Sequence, residues 1–212
     1  MASVLIADGQ SQVRGELRHA LVALGHAVVG EAASGEHTLA LARSLRPDAV
    51  LLDVALATSS SGGGMSGGAF PTARVLAGDR LAAVLLLSHD AEPDLVRQAG
   101  EAGALALLRK PTRRDDLEPA IPIAITRFRE IVALEARVRD LTERMEARKL
   151  VGRAKAILME RHGMSERDAF KRIQTQSQTL NRPPHEIARA IITASEVVLP
   201  PVSLSSPEPA AP

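Results

Sequence analysis

Five short apolar runs alternate with amphipathic stretches over the first 110 residues. The runs cover 4–7, 27–30, 49–52, 83–87 and 105–108. Continuous apolar runs of this length are typical of strands that are buried on both faces of a parallel sheet. The stretches between them, 11–24, 35–45, about 69–78 and 92–101, repeat apolar residues at helical spacing. The pattern predicts a doubly wound α/β domain with a five-stranded parallel sheet, and a site at the carboxyl ends of its central strands.

A long helix is predicted from residue 113 onward. Pro119 and Pro122 lie in its first turns, where proline is expected to kink the helix or to delay its regular start. Apolar residues then alternate spacings of three and four and form a heptad seam: Ile131, Leu134, Val138, Leu141 and Met145. Such a seam is typical of a coiled coil and predicts a homodimer. The alternative is a helix that packs back on its own α/β domain.

Three short amphipathic helices follow and predict a small helical bundle. Gly163 is expected to end the first helix in a left-handed turn. Ser165 is expected to cap the second, with Asp168 three residues later as in a capping box, and prolines at 183–184 separate the second helix from the third. The apolar faces predict the core residues Leu150, Ala154, Ile157, Leu158, Ala169, Phe170, Ile173, Ile187, Ala188, Ile191 and Ile192.

The predicted domain boundaries follow from these patterns. The α/β domain covers 1–119, a helical connector 120–143, and the three-helix bundle 144–197. Residues 198–212 are rich in proline and serine, so their composition predicts a disordered tail.

Composition narrows the classes of protein that fit. Of 212 residues, 45% are hydrophobic and the mean hydropathy is +0.02, which is typical of a soluble globular protein. The absence of cysteine excludes disulfides and thiol chemistry. No apolar run reaches the ~20 residues of a membrane span, and no signal for export precedes the first strand, so we expect a cytoplasmic protein without membrane contact. The six histidines are scattered and no nucleophile–base set is present, so we do not expect a conventional enzyme.

The charge is unevenly distributed along the chain. Residues 1–119 carry a net −3, whereas 144–197 contain 11 Lys/Arg and 6 Asp/Glu, a net +5. A basic surplus on the bundle suits a phosphate backbone, although a solvated helical face of this charge is also common.

The bundle sequence resembles a known family. Residues 148–170 read RKLVGRAKAILMERHGMSERDAF, followed by Asn181-Arg182 and by Glu-Ile-Ala at 186–188. This order is similar to the ANTAR domain, the RNA-binding module of bacterial transcription-antitermination regulators; an unrelated three-helix bundle is the alternative. Ala156 and Ser177 stand where that family usually has glycine and alanine. The resemblance implies binding to hairpins in leader transcripts, with a dimer that presents two bundles.

Candidate RNA contacts are the cations of this segment. They are Arg148, Lys149, Arg153, Lys155, Arg161 and Arg182. Phe170, the one aromatic residue of the bundle, is expected in the core, so arginine planes rather than aromatic rings are expected to stack on bases.

Polar residues follow four of the predicted strands. Asp8 follows the first, Asp53 ends the third, Ser88 ends the fourth and Lys110 follows the fifth. A carboxylate at such a position can attack phosphorus and become an acyl phosphate. The spacing resembles the flavodoxin-like receiver domain of two-component response regulators. That resemblance implies a sensor histidine kinase as partner, Asp53 as phospho-acceptor, Mg²⁺ held by Asp8, Asp53 and the carbonyl of Ala55, and Ser88 and Lys110 as the switch residues.

The sequence departs from the receiver pattern at several positions. Gly9 stands where receivers have a second acidic residue, so one carboxylate ligand is missing and weak Mg²⁺ binding is expected. Leu107 replaces the aromatic switch residue, and Pro111 would follow a cis bond in that family. A glycine-rich stretch after Asp53 lacks the usual proline and the ending of a P-loop, so it is interpreted as a mobile insertion. The alternative is that Asp8 and Asp53 are remnants of a site that no longer takes phosphate.

The sequence thus predicts a response regulator that binds RNA and acts as a transcription antiterminator under control of its receiver. Two alternatives remain at this point. One is a DNA-binding response regulator, although the joint at 162–165 does not by itself establish a helix-turn-helix. The other is a dimeric protein-interaction module that needs neither phosphate nor nucleic acid.

Overall fold

A computed structural model describes residues 1–56, 68–90 and 92–197. The contacts divide the chain into two compact units, Met1–Glu135 and Ala136–Pro212. Most of the glycine-rich stretch after Asp53 and the tail at 198–212 lie outside the described residues. Within the part of the chain that is described, no helix is long and apolar enough to cross a membrane.

The first unit is built on a five-stranded parallel sheet, as predicted. Its strands are β1 Ser3–Ala7, β2 Ala27–Ala32, β3 Ala49–Asp53, β4 Ala83–Ser88 and β5 Ala106–Arg109. The strand order is β2-β1-β3-β4-β5, so the central strands β1, β3 and β4 are covered on both faces. Burial on both faces explains why these three strands are continuous apolar runs.

Helices cover both faces of the sheet and build a core on each side. They are α1 Ser11–Ala23, α2 Gly35–Leu45, α3 Ala69–Gly78 and α4 Pro93–Glu101. Because side chains alternate along a strand, Leu5 and Leu52 join the core that contains Leu76 of α3. Ile6 joins the opposite core, which contains Leu21 of α1. The carboxyl ends of the central strands therefore meet at one edge between these layers.

The long helix α5 spans Arg114–His162 and begins before both prolines. The expected delay of its start is therefore wrong. The reason lies in the packing, because Leu117 and Ile121 are fully buried in the core beside α1. Their burial stabilises these turns even though Pro119 and Pro122 each lack the N–H for a helical hydrogen bond.

The heptad seam on α5 is largely exposed. Leu134 and Val138 are each 63% exposed, Leu141 56% and Met145 52%, whereas Ile131 is half-buried. The sequence spacing had predicted an apolar stripe here, and the four exposed side chains form one. A stripe of this kind is apolar surface available to another molecule.

The second unit is a helical bundle formed by the end of α5, α6 Glu166–Leu180 and α7 Pro184–Val197. Gly163 has a φ of 64°, as predicted for the residue that ends α5. The Ser165 hydroxyl accepts a hydrogen bond from Asp168 N at 3.2 Å and donates one to Asp168 Oδ2 at 2.6 Å, so the predicted cap is confirmed. The fully or nearly buried core residues are Ala154, Leu158, Ala169, Ile173, Ile187, Ala188 and Ile192.

Phe170 is a correction to the predicted core, because its side chain is 49% exposed. The buried stripe of α6 is narrow and consists of Ala169 and Ile173, four residues apart. Phe170 is one position further round the helix and lies outside that stripe.

Candidate phosphorylation site and nucleic-acid interface

The strand ends bring Asp8, Asp53 and Lys110 into one buried cluster. Lys110 Nζ lies 2.6 Å from Asp8 Oδ2 and 2.8 Å from Asp53 Oδ1. Asp8 is fully buried, and Asp53 and Lys110 are 5% and 6% exposed. Burial alone would lower the pKa of the Lys110 ammonium, but hydrogen bonds and charges from Asp53 and Asp8 outweigh it and raise that pKa above its usual value. The cluster therefore holds two carboxylates around one cation.

The other Asp8 oxygen is also bonded, because Oδ1 accepts from the backbone N–H of Gln10 at 2.8 Å. Arg14, on α1, donates to the Asp8 carbonyl at 2.8 Å and pairs with Glu31 at 3.2 Å. Arg18 also pairs with Glu31, and its hydrogen bond is the main reason why the pKa of Glu31 lies below its usual value. Sequence reasoning missed Arg14, for which the available signal was a pair of cations four residues apart on α1.

Ser88 lies at the end of β4, beside the cluster. The residue is 8% exposed, and its hydroxyl accepts a hydrogen bond from Asp90 N at 3.1 Å. Asp53, Ala55 and Ser88 line one cavity of about 320 Å³, together with the acidic residues Asp90 and Glu92. Asp53, Ala55 and Ser88 thus border a common space large enough for a phosphoryl group.

The polypeptide around Lys110 also follows the receiver pattern. The Lys110–Pro111 peptide bond is cis, and Lys110 N donates to the Ser88 carbonyl at 2.7 Å. Leu107, at the position of the usual aromatic switch, is half-buried against the core.

The oxygen donors fit a magnesium ion in kind but are few in number. Asp8, Asp53 and the Ala55 carbonyl offer the hard oxygen ligands that Mg²⁺ prefers. Gly9 contributes no side chain, although a Cβ built there would meet no atom within 4 Å. Among the described residues, no group of three or more His, Cys, Asp or Glu side chains is placed to hold a metal ion. Any bound cation would also compete with Lys110 for the two carboxylates.

The six predicted RNA-binding cations do not share one surface of the bundle. Arg148 and Lys155, seven residues apart on α5, lie on one helical face with Gly152. This face borders a pocket of about 420 Å³, here called the Phe170 pocket, whose lining is Ala147, Arg148, Val151, Gly152, Lys155, Phe170, Pro184 and His185. Sequence reasoning missed Phe170 and His185 as candidates, and exposed positions on α6 and α7 could not be told from buried ones by spacing.

Lys149 and Arg153 lie on an adjacent face of α5, and both form ion pairs. Lys149 Nζ is 2.8 Å from Glu146 Oε1, and Arg153 Nη2 is 2.8 Å from Glu196 Oε1. Lys155 is paired as well, since its Nζ is 2.6 Å from Glu166 Oε1. These pairs are exposed or partly exposed, so each is worth little and can exchange for a phosphate.

Arg161 and Arg182 lie elsewhere. Arg161 borders a second, more aliphatic groove of about 670 Å³ between α5, α6 and α7, together with Arg172 and Leu180. Arg182 is exposed in the joint between α6 and α7, where its carbonyl accepts from the Ser177 hydroxyl. The cations are therefore spread over at least three surfaces of the bundle.

Comparison with known proteins gives the same two-part organisation. The model of the response regulator receiver domain matches residues 4–122, and the model of the ANTAR domain matches residues 139–192. The transcriptional regulatory protein PdtaR of Mycobacterium tuberculosis is 39% identical over 189 residues, which cover 89% of this chain and 88% of PdtaR. The response regulator GacA of Pseudomonas syringae is 36% identical over 107 residues, 49% of this chain and 47% of GacA.

Solved structures resemble the first unit. The receiver domain of a modulated diguanylate cyclase from Desulfovibrio desulfuricans has a TM-score of 0.54 and 26% identity, covering 61% of this chain and 97% of that one. The receiver domain of the response regulator NarL from Mycobacterium tuberculosis has a TM-score of 0.52 and 29% identity, with 59% and 96% covered.

Proposed function

Because this chain belongs to the response regulators that join a receiver to an ANTAR domain, and is an RNA-binding transcription antiterminator of a two-component system, we propose that phosphate on Asp53 controls its binding to leader-RNA hairpins. The observation that carries the proposal is the pairing of Lys110 with Asp8 and Asp53 at one strand edge. A protein that acts on transcripts during their synthesis in a bacterium works in the cytoplasm.

The chemistry follows from the cluster. A carboxylate oxygen of Asp53 attacks the phosphorus of a phosphohistidine on a sensor kinase, the phosphorus–nitrogen bond breaks and an acyl phosphate forms. Lys110 moves its hydrogen bond from the carboxylate to the phosphoryl oxygens and offsets their charge. Ser88 lines the same cavity as Asp53, which supports a role for its hydroxyl as a hydrogen-bond donor to the phosphoryl group.

Receivers typically bind Mg²⁺ for this reaction, and the ion supplies charge neutralisation at the phosphoryl group when bound. Asp8, Asp53 and the Ala55 carbonyl would hold it here. With Gly9 in place of a further carboxylate, Mg²⁺ binding is weak and phosphorylation of Asp53 is slow.

The signal reaches the RNA-binding bundle through pairing of two chains. The heptad seam lies on α5, the helix that leaves the receiver, and four of its five residues are more than half exposed. A homodimer that buries the seam brings two bundles to one transcript, and linking two weak sites in this way raises the overall affinity.

The bundle holds RNA through its cations. Arg148, Lys149, Arg153, Lys155, Arg161 and Arg182 supply positive charge for phosphates, while hairpin loops expose unstacked bases to side chains. In the free protein several of these cations pair with Glu146, Glu166 and Glu196, and RNA phosphates would replace these carboxylates.

One observation favours a second candidate. Lys110 already pairs with both carboxylates, and Gly9 offers no side chain as a metal ligand. A receiver of this kind can serve as a dimerisation scaffold that takes no phosphate while the bundle still binds RNA.

The class of nucleic acid is tested by binding of the full chain to hairpin RNA and to duplex DNA of the same sequence over a series of salt concentrations. We expect tighter binding to the hairpin and a linear fall of log affinity with log salt concentration. Equal or tighter binding to duplex DNA would favour a DNA-binding regulator. Absence of salt-dependent binding to either would favour a protein-interaction module.

A further inference from the structure

Phe170 is an exposed aromatic ring in a protein that has three phenylalanines and no tyrosine or tryptophan. Nearly half of its side chain is open to solvent, although Ala169 beside it is fully buried. Exposing a phenylalanine costs free energy, because about 25 cal/mol is lost for each Å² of apolar surface left in water. The ring borders the Phe170 pocket, so the pocket offers an aromatic surface that a ligand can cover.

Gly152 lines the Phe170 pocket and adds no side chain to it. A Cβ built on Gly152 would meet no atom within 4 Å, and the residue lies inside α5 without a left-handed φ. Neither close packing nor backbone conformation requires glycine there, yet glycine in a helix interior costs about 1 kcal/mol relative to alanine. The space that it leaves is part of the pocket of about 420 Å³, a size typical of small-ligand sites.

The border of this pocket is cationic. Arg148 and Lys155 come from the same face of α5 as Gly152, and His185 approaches from α7. The larger groove beside Arg161 also has basic residues, but its lining includes no phenylalanine. The Phe170 pocket thus combines a flat aromatic surface with positive charge, the pairing that single-stranded nucleic acid binds by stacking and by phosphate contacts.

We propose that the Phe170 pocket receives one unpaired nucleobase from the loop of an RNA hairpin, stacked on the Phe170 ring. Arg148 and Lys155 then hold the phosphates on either side of that nucleotide. The inference rests on the proposed RNA-binding function and adds to it the place and the chemistry of base recognition. It replaces the expectation that arginine planes alone stack on the bases.

Two pairs of variants separate this role from a structural one. Phe170→Leu keeps an apolar side chain but removes the aromatic plane, whereas Phe170→Tyr keeps the plane. Gly152→Leu fills the pocket, whereas Gly152→Ala adds a methyl group in open space. Both substitutions at 152 replace a helical glycine and are expected to keep the fold, which thermal unfolding of each full-length variant checks.

The probe is a pool of RNA hairpins with one stem and a randomised loop, from which the tightest-binding loop is taken. Phe170→Leu and Gly152→Leu are expected to bind it about tenfold more weakly than the parent, and Phe170→Tyr and Gly152→Ala within about twofold of the parent. The same hairpin with single abasic loop positions gives a second measure. At one loop position, removal of the base should weaken hairpin binding by the parent by the same factor. It should not weaken binding by Phe170→Leu any further.

The outcomes are distinguishable. If the parent binds the hairpin and folded Phe170→Leu and Gly152→Leu bind equally well, the base pocket is refuted while the RNA-binding function stands. If the loss of affinity caused by Phe170→Leu and the loss caused by removing a base are additive at every loop position, the base pocket is also refuted. The ring and the base would then act independently. If the parent shows no salt-dependent binding to any hairpin, the proposed function fails and the base pocket fails with it.

Discussion

Lys110 Nζ lies 2.6 Å from Asp8 Oδ2, although 102 residues separate the two along the chain. Asp8 follows β1, and Lys110 follows β5. These two strands belong to one parallel sheet, in which β3 and β4 lie between them, so their carboxyl ends lie at the same edge of the sheet. Both side chains are almost fully buried, as is that of Asp53. A cation between two buried carboxylates offsets a repulsion that the fold would otherwise carry.

Replacing Lys110 by methionine should therefore destabilise the receiver by about 3–5 kcal/mol at neutral pH, because two buried carboxylates lose their shared cation. The raised pKa of Lys110 means that its contribution is fully present below its usual pKa of about 10.4 and is lost only at higher pH. Between about pH 5 and 8, the stability of the parent should therefore show no pH dependence that comes from Lys110 itself.

Urea unfolding at several pH values checks this. The free energy of unfolding of Lys110→Met should lie below that of the parent by about 3–5 kcal/mol throughout the range from about pH 5 to 8. Lys149→Met is the matched control, since Lys149 forms an exposed pair with Glu146 and should change stability by less than about 1 kcal/mol. A loss of stability in Lys110→Met no larger than that in Lys149→Met would refute the role assigned to Lys110.

Gly9→Asp should raise the rate at which a small phosphodonor labels Asp53. The new carboxylate enters open space and adds a ligand for Mg²⁺, so the gain should be largest at low Mg²⁺ concentration. Gly9→Ala is the control, because it fills the same space without a ligand, and Asp53→Asn should abolish labelling. Mass spectrometry of the intact proteins provides the measurement. If neither the parent nor Gly9→Asp gains phosphate, phosphorylation of Asp53 is refuted and the scaffold interpretation of the receiver stands.

Leu134→Lys with Leu141→Lys should convert a dimer into a monomer. Each ammonium would enter the buried side of the paired heptad seam, which costs several kcal/mol unless the side chain reaches water. Ala133→Lys with Ala136→Lys adds the same charge to exposed positions of α5 outside the seam and should leave the dimer intact. Sedimentation velocity over a range of concentrations decides. A parent that is monomeric at every concentration would show that the seam does not pair two chains.

Glu166→Gln should strengthen binding to hairpin RNA a few-fold. Lys155 is paired with Glu166, whose pKa is held below its usual value mainly by that hydrogen bond, so the glutamate is charged at neutral pH and competes with RNA phosphates. Glu160→Gln makes the same charge change at an exposed position of α5 on another face. Equal gains for both variants in a fluorescence anisotropy titration would mean that net charge, and not release of Lys155, is responsible.

Much of this architecture could be predicted because buried elements can be recognised from the pattern of apolar residues in the sequence. The central strands are apolar throughout since both of their faces are covered, and Ser165 and Gly163 mark helix ends through local backbone chemistry. Asp8, Asp53 and Ser88 could be grouped because parallel strands end at one edge. The pairing of Lys110 with two carboxylates depends on side-chain conformation, which strand spacing does not specify.

The exposure of Phe170 could not be predicted from the spacing of apolar residues along α6. Ala169 and Phe170 lie four and three residues before Ile173, and both spacings are compatible with one buried face. The structure places the smaller residue against the core and the ring outside it. The delayed regular start expected for α5 is wrong for a related reason, since burial of Leu117 and Ile121 outweighs the local effect of the two prolines.

The claim that phosphate on Asp53 controls RNA binding is tested most directly by the hairpin affinity of the full chain before and after treatment with a small phosphodonor and Mg²⁺, with Asp53→Asn treated in parallel. The affinity of the parent should rise in proportion to the fraction of protein that mass spectrometry shows to be phosphorylated, and that of Asp53→Asn should not change. An unchanged affinity in a largely phosphorylated parent, or an equal rise in Asp53→Asn, would contradict the claim.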